Sequence, residues 1–407
     1  MAVFAAFAFA YFFSALVRAV TATLAPVFSA ELGLASGQLG LLAGAYFLGF
    51  AALQLPLGSA LDRWGAKRVL MAFLALAVLG CLAFAAAVSF AQLLLARLLI
   101  GAGVAACLMA PLTCFRRLLS NGAQWRANSW RLMTGSLGML ASTLPVQWLM
   151  PWLGWRGLFV AVAGFLALAI VGIGWQVPAD VAASRQARAA GGGEVGYRQV
   201  FTHPAFVRLA PMGFVVYGGL IAMQSLWIGP WLTQVTGRSA DEAAQGLFWV
   251  NFSMLIAFFG WGLLLPRLTR HGLAGERLIA LTWPAQVASL GLILWQGAES
   301  GPQAWALWCV CTSVVSLSQP AVGQAFPASL AGRALSAYNL MIFGGIFVLQ
   351  WTIGLGLDAL LAQGVPVEAA YRRVFGVFLA ASVMSFLWFH FCLRRQRLAP
   401  ASAAAGG

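Results

Sequence analysis

Gly58-Ser59-Ala60-Leu61-Asp62-Arg63-Trp64-Gly65-Ala66-Lys67-Arg68 is a short charged turn held between two apolar runs, at about residues 38–61 and 69–88. Each run reaches the ~20 residues that a helix needs to cross hydrocarbon. The turn therefore marks a chain that leaves a bilayer and re-enters it at once. Its residue types suit that place: Gly58 lets two helices approach closely, Gly65 makes the turn, and Asp62 at the membrane edge can meet helix N-terminal amides or a basic partner. Such a cluster can latch one conformer of a moving protein.

Outward from this turn the pattern repeats along all 407 residues. Apolar runs lie at about 4–28, 38–61, 69–88, 91–115, 129–150, 156–176, 206–233, 245–266, 278–298, 304–326, 335–361 and 370–393, which predicts twelve transmembrane helices. Hydrophobic residues make up 62% and charged residues 8%, against about 45–50% and 25% in soluble domains. A soluble fold with 17 Trp and 29 Phe would expose large apolar patches, so the solvent is a bilayer. The first run starts at Met1 with no basic region and no small-residue cleavage site, and reads as a retained span rather than a signal peptide. All six cysteines, at 81, 107, 114, 309, 311 and 392, fall inside apolar segments and read as packing residues. No metal ligand set or cofactor is expected.

The longest polar interruption, from Pro178 to Pro204, contains Gly191-Gly192-Gly193 and several charges, and cannot lie in hydrocarbon. It divides the chain into an N-terminal six-helix bundle (1–177), a cytoplasmic linker (178–204), a C-terminal six-helix bundle (205–394) and a disordered tail (395–407). Basic loops stay cytoplasmic. Arg63, Lys67, Arg68, Arg116, Arg117, Arg126, Arg267, Arg270 and Arg333 fall on the side of both termini; only Arg156, Arg238, Arg372 and Arg373 fall on the other. The net charge of +14 is thus a topology signal that puts both termini inside. It is spread over many short loops with no single basic face, which excludes nucleic acid as partner.

With its spacing complete, Gly58–Arg68 resembles the G-x-x-x-D-R-x-G-x-[KR] loop of the major facilitator superfamily, and stands where that family places it. Leu95-Ala96-Arg97-Leu98-Leu99-Ile100-Gly101-Ala102-Gly103 resembles the fourth-helix motif, and Gly154-Trp155-Arg156 the outside turn before the sixth span. Gly262-Leu263-Leu264-Leu265-Pro266-Arg267 is similar to a decayed second copy of the loop, with Pro266 where the acid would stand. The resemblance implies an all-α membrane protein of two parallel repeats around a central cavity, with solute bound near the midplane. It assigns Gly58, Asp62, Arg63, Gly65, Lys67, Arg68, Arg97, Gly101 and Arg267 to gating or helix packing.

Polar residues within spans are costly and point to function where they face the bundle interior. Arg18 lies near the middle of the first span, and no Asp or Glu lies mid-span to serve it as a permanent partner. Arginine cannot shed its proton in a protein, so Arg18 needs an anion or many acceptors. Tyr11, Arg18 and Pro26 have the spacing found in the first helix of organophosphate:phosphate antiporters. In those proteins a second Arg on the seventh helix shares the phosphate; here the stretch Tyr217–Pro230 of the seventh span has no Arg at the corresponding place, and a monoanion is easier to reconcile. Ser14, Tyr46, Tyr217, Gln224, Trp227, Asn251, Gln319, Asn339 and Gln350 complete the set of candidate solute contacts, each also able to serve as an interhelical hydrogen bond. Gln54 reads as structural, and His390, on a span that does not line the cavity in this family, is not a proton relay.

The expected function is secondary transport of a small anionic solute by alternating access, coupled to protons or to a counter-transported solute. The expected setting is a monomer in the bacterial inner membrane. A proton-coupled efflux permease is the alternative; a non-transporting sensor or a membrane enzyme is the alternative of another class. No Walker-type loop is present, and His203, His271 and His390 have no mid-span carboxylate or Cys partners, which argues against an enzyme.

Overall fold

A computed structural model describes residues 2–118, 130, 133–178, 197–271, 273 and 275–398. Within them the side chains of residues 58, 59, 62, 112, 113, 116–118, 266, 269, 328, 329 and 396–398 are not described. Among the described residues the long elements are all helices, and twelve of them are spans. The first is Ala2–Leu32; the second is Ser36–Ala52 continued by Gln54–Trp64; the third is Ala66–Ala86; the fourth is Phe90–Val104 continued by Ala106–Leu118. The interruption of the second at Leu53 precedes Pro56, whose missing N–H and bulky ring disturb the turn before it.

The fifth and sixth spans, about 133–153 and 155–176, meet at Gly154, whose φ of 59° and ψ of 174° break the helix. The positive φ suits glycine, and Gly154-Trp155-Arg156 is therefore the turn that the sequence suggests. Trp152, beside the Gly154 turn, and Trp175, near the far end of the sixth span, are 84% and 88% exposed. From Gly154 to Trp175 the sixth span rises ~31 Å at 1.5 Å per residue, matching a ~30 Å hydrocarbon core with aromatics at both borders.

Six further spans follow: Pro204–Val235, Ala240–Arg270, Gly275–Gln296, Pro302–Gln324, Ala328–Ala362 and Val367–Leu398. Part of the stretch read as linker is helical. Tyr197–Thr202 forms a short helix with Val200 fully buried, while 179–196 lie outside the described residues, as do 399–407 of the tail. A single apolar side chain with a place in the core suffices to fold this segment down.

Close backbone approaches fix the packing. A Cβ on Gly101 would stand 1.9 Å from the Tyr46 carbonyl oxygen, and one on Gly103 would stand 2.3 Å from the Ala77 nitrogen. The fourth-span glycines thus let the second and third spans lie directly against the fourth. Between the two halves, a Cβ on Gly40 would meet the Gln350 carbonyl at 2.2 Å, one on Gly354 the Ser36 carbonyl at 2.3 Å, and one on Gly229 the Ala22 carbonyl at 2.4 Å. The second span packs along the eleventh, and the first against the seventh.

Candidate solute site and gates

These contacts between halves gather at the end of the molecule away from the termini. There Asp358 Oδ1 and Oδ2 accept from the backbone N–H groups of Ser36 (2.8 Å) and Gly37 (2.7 Å), and Gln147 Nε2 donates to Asp241 Oδ1 at 2.9 Å. Glu31 ties the same end of the first half together, accepting from Trp155 Nε1 at 2.7 Å and pairing with Arg156 at 2.5 Å. Deeper, Phe50 and Phe343 meet across the halves with ring centres 4.4 Å apart.

At the opposite end Gln54–Trp64 contacts the eleventh span of the other half, and Lys67 of the Gly58–Arg68 turn holds its own half. Gly65 takes φ 83° between two helices, as a turn there requires. Lys67 Nζ donates to the carbonyls of Gly174 and Val177, both at 2.7 Å, placing a cation on the C-terminal end of the sixth span, where the helix dipole favours one. Arg63 lies 5.4 Å over the Trp64 ring. Arg68 and Arg267 are exposed. Gly58 and the Asp62 side chain lie outside the described groups.

At mid-depth the first span aims Ser14, Arg18 and Thr21 along one face, at i, i+4 and i+7. Arg18 Nη2 reaches the Met139 sulfur of the fifth span at 3.3 Å, a weak acceptor for a guanidinium, while its buried Nε has no partner. Tyr46, from the second span, and Tyr217, from the seventh, lie within electrostatic reach of its charge, and Tyr217 within reach of Tyr11. Tyr11 itself lies on Gly135 of the fifth span. Tyr46 donates its hydroxyl to the Ser14 carbonyl at 3.2 Å. The structure thus gathers Tyr11, Ser14, Arg18, Tyr46 and Tyr217 from both halves around one cation.

The other candidates pair among themselves. Gln224 donates to Asn251 at 2.8 Å, and Asn251 to the Leu247 carbonyl at 2.9 Å. Gln319 donates to Asn339 at 2.5 Å, and Gln350 to Ser225 at 3.0 Å. Trp227 is fully buried with its indole N–H unpaired, and its ring would meet a Cβ on Gly40 of the second span at 3.3 Å. Gln54 donates to the Phe50 carbonyl one turn back at 3.4 Å. Widened π-helical turns carry Tyr217, Gln224 and Trp227 in the seventh span: Met212–Tyr217, Met223–Trp227 and Trp231–Val235. Such bulges reorient side chains and recur at functional sites.

Sequence reading passed over one feature. Asp358 stands inside an apolar run, four residues before the end of its helix, and that isolated acid was the signal available. Arg97 was assigned to packing or coupling; it lies against Tyr46, with Cζ 5.2 Å from the ring centre, and donates to Thr21 Oγ1.

A cleft of about 610 Å³ lies away from this cluster, between the ninth, tenth and twelfth spans, lined by Glu276, Arg277, His390 and Arg394 among others. His390 accepts there from Arg394 Nε at 2.9 Å.

Solved structures share the whole architecture. A bacterial homolog of the human lysosomal transporter Spinster, in an inward-facing and unoccupied conformation, is 16% identical, with 96% of each chain covered and a TM-score of 0.72. A D-xylose–proton symporter is 13% identical, with 95% of each chain covered and a TM-score of 0.73. The nucleoside transporter NupG is 14% identical, covering 96% of this chain and 99% of that one, with a TM-score of 0.74. At these identities the likeness is one of fold. No curated protein matches the sequence. The family model described as Major Facilitator Superfamily matches residues 7–350, most of the chain and both halves of the cluster around Arg18, and the chain belongs to that superfamily of membrane transporters.

Proposed function

We propose that the protein moves a small anionic solute across the bacterial inner membrane by alternating access, with Arg18 as the principal anchor and both termini in the cytoplasm. The observation that carries this reading is Arg18 itself: a guanidinium at mid-depth whose hydrogen-bond partners are a thioether and nothing stronger. Among the described residues the ion pairs are Glu31–Arg156, Arg208–Glu276 and Glu368–Arg372, none of which involves it. A fixed cation in a low-dielectric surround attracts anions and repels cations. Tyr11, Ser14, Tyr46 and Tyr217 supply hydroxyls to orient the anion, and Gln224, Trp227, Asn251 and Asn339 line the second half of the path. Transport is coupled to protons or to an exchanged solute. With basic loops inside, the end that Asp358 and Gln147 tie together faces outside.

The test is uptake into proteoliposomes from a panel of organic and inorganic anions and matched cations, with the parent and Arg18→Gln. Saturable anion uptake that Arg18→Gln reduces at least about tenfold, a loss of ~1.4 kcal/mol, is expected. Uptake of cations alone, or full anion uptake by Arg18→Gln, would refute the assignment.

A further inference from the structure

Arg97 differs from every other described cation of the spans. It is 1% exposed, its Nη2 donates to Thr21, and its Nε and Nη1 meet no acceptor. No described carboxylate pairs with it. Arginine stays charged when buried, and a buried, uncompensated charge is strongly unfavourable. Two idle N–H donors on such a group call for an anion that the fold itself does not supply.

Its position relates it to Arg18. On the face of the first span, Ser14 binds Tyr46 and Thr21 binds Arg97, with Arg18 between them. Thr21 follows Arg18 by three residues, ~4.5 Å along the axis, so the hydroxyl that holds Arg97 belongs to the next turn of the helix that carries Arg18. The Tyr46 ring covers Arg97, and its hydroxyl reaches Ser14, one turn before Arg18. The main chain of Tyr46 is pinned against Gly101, which leaves the side chain as the part able to turn.

We propose that Arg97 is a second anion-recognition residue of the solute site, screened by the Tyr46 ring in this conformer, and that the solute is a dicarboxylate. Arg18 takes one carboxylate; as the Tyr46 ring turns aside, Arg97 takes the other. This rests on the reading of Arg18 as anchor. A single compact anion satisfies one guanidinium well but leaves the other across a ring, whereas two carboxylates joined by a short chain give each its own fork-to-fork partner.

The experiment measures binding to the full-length protein in nanodiscs, by calorimetry and thermal shift. The probes are α,ω-dicarboxylates of three to six carbons, monocarboxylates of the same lengths, and inorganic phosphate. The parent should bind one dicarboxylate about tenfold more tightly than its matched monocarboxylate, as one further charge-assisted contact allows. Arg97→Gln should bring that ratio to about one while keeping the monocarboxylate affinity, and Arg97→Lys should fall between. Tyr46→Phe, which removes the Ser14 bond and keeps the packing, serves where Arg97→Gln fails to fold; it should raise the ratio of dicarboxylate to monocarboxylate affinity. A parent that prefers monocarboxylates or phosphate, or a ratio that Arg97→Gln or Tyr46→Phe leaves unchanged, overturns the proposal while the Arg18 anchor stands. Binding of no anion, or equal binding by Arg18→Gln, removes the anchor reading as well.

Discussion

The carboxylate of Asp358, in the eleventh span, accepts the backbone N–H of Gly37, in the second, at 2.7 Å. Its other oxygen takes the N–H of Ser36, so an acid from one half caps the N-terminus of a helix in the other. Free amides and the helix dipole both favour an anion there. Gly37 is also the residue that allows the approach, since a Cβ on it would lie 2.8 Å from Asp358 Oδ2. This cap exists only while that end is closed.

Asp358→Asn keeps the volume and removes the charge. A helix cap contributes ~1 kcal/mol, so the closed conformer should lose about fivefold in population relative to the open one. A cysteine replacing the half-buried Ser36, whose N–H the cap holds, should then react faster with an impermeant thiol reagent added from outside. An unchanged labelling rate would show that the cap does not hold this end shut.

Arg18→Lys preserves charge but loses the planar fork with paired donors. Transport of the identified anion should fall about tenfold, and further in Arg18→Gln. Equal rates in the two variants would mean that charge alone is read.

Asp62→Asn removes the acid of the Gly58–Arg68 turn without changing its size. Transport should slow severely while expression and thermal stability stay at parent level, the signature of a lost gate contact. Parent turnover at equal reconstituted amount would end the gating role.

Gly101→Val would drive a side chain into the Tyr46 carbonyl, already 1.9 Å from a bare Cβ. Overpacking of this kind costs ~1–3 kcal/mol or more, and the melting temperature in detergent should drop with no compensating gain in activity. An unaltered melting temperature would show that the second and fourth spans can part freely.

Ser184 lies in the interruption between the halves, outside the described residues. A cysteine there should label only after the membrane is permeabilised, as the basic-loop asymmetry requires. Labelling of intact cells would invert the topology and put the Asp358 cap on the cytoplasmic side.

The fold was legible because each span announces itself independently. Length, apolarity and flanking charge are local properties, and hydrocarbon enforces them residue by residue. Boundaries drifted where helices run past the apolar stretch, as in the eleventh, which begins at Ala328 rather than about 335, or where a polar segment finds a buried place, as at Val200. Arg18 was legible too, as a lone charge in an apolar run.

By itself, then, the sequence determined the number of spans, the family, the basic side of the topology and the presence of a cation at mid-depth. Only the tertiary structure decided which polar groups meet: that Tyr46 from the second span binds the Ser14 carbonyl, that Gln224 is spent on Asn251, that Arg97 lies beneath Tyr46, and that Asp358 caps the second span. Those pairings join residues up to 322 positions apart, and the bilayer that dictates each helix is indifferent to how the helices' inner faces are matched. Shape does that, through glycines such as Gly40 and Gly101 that admit a neighbour's backbone at a single register.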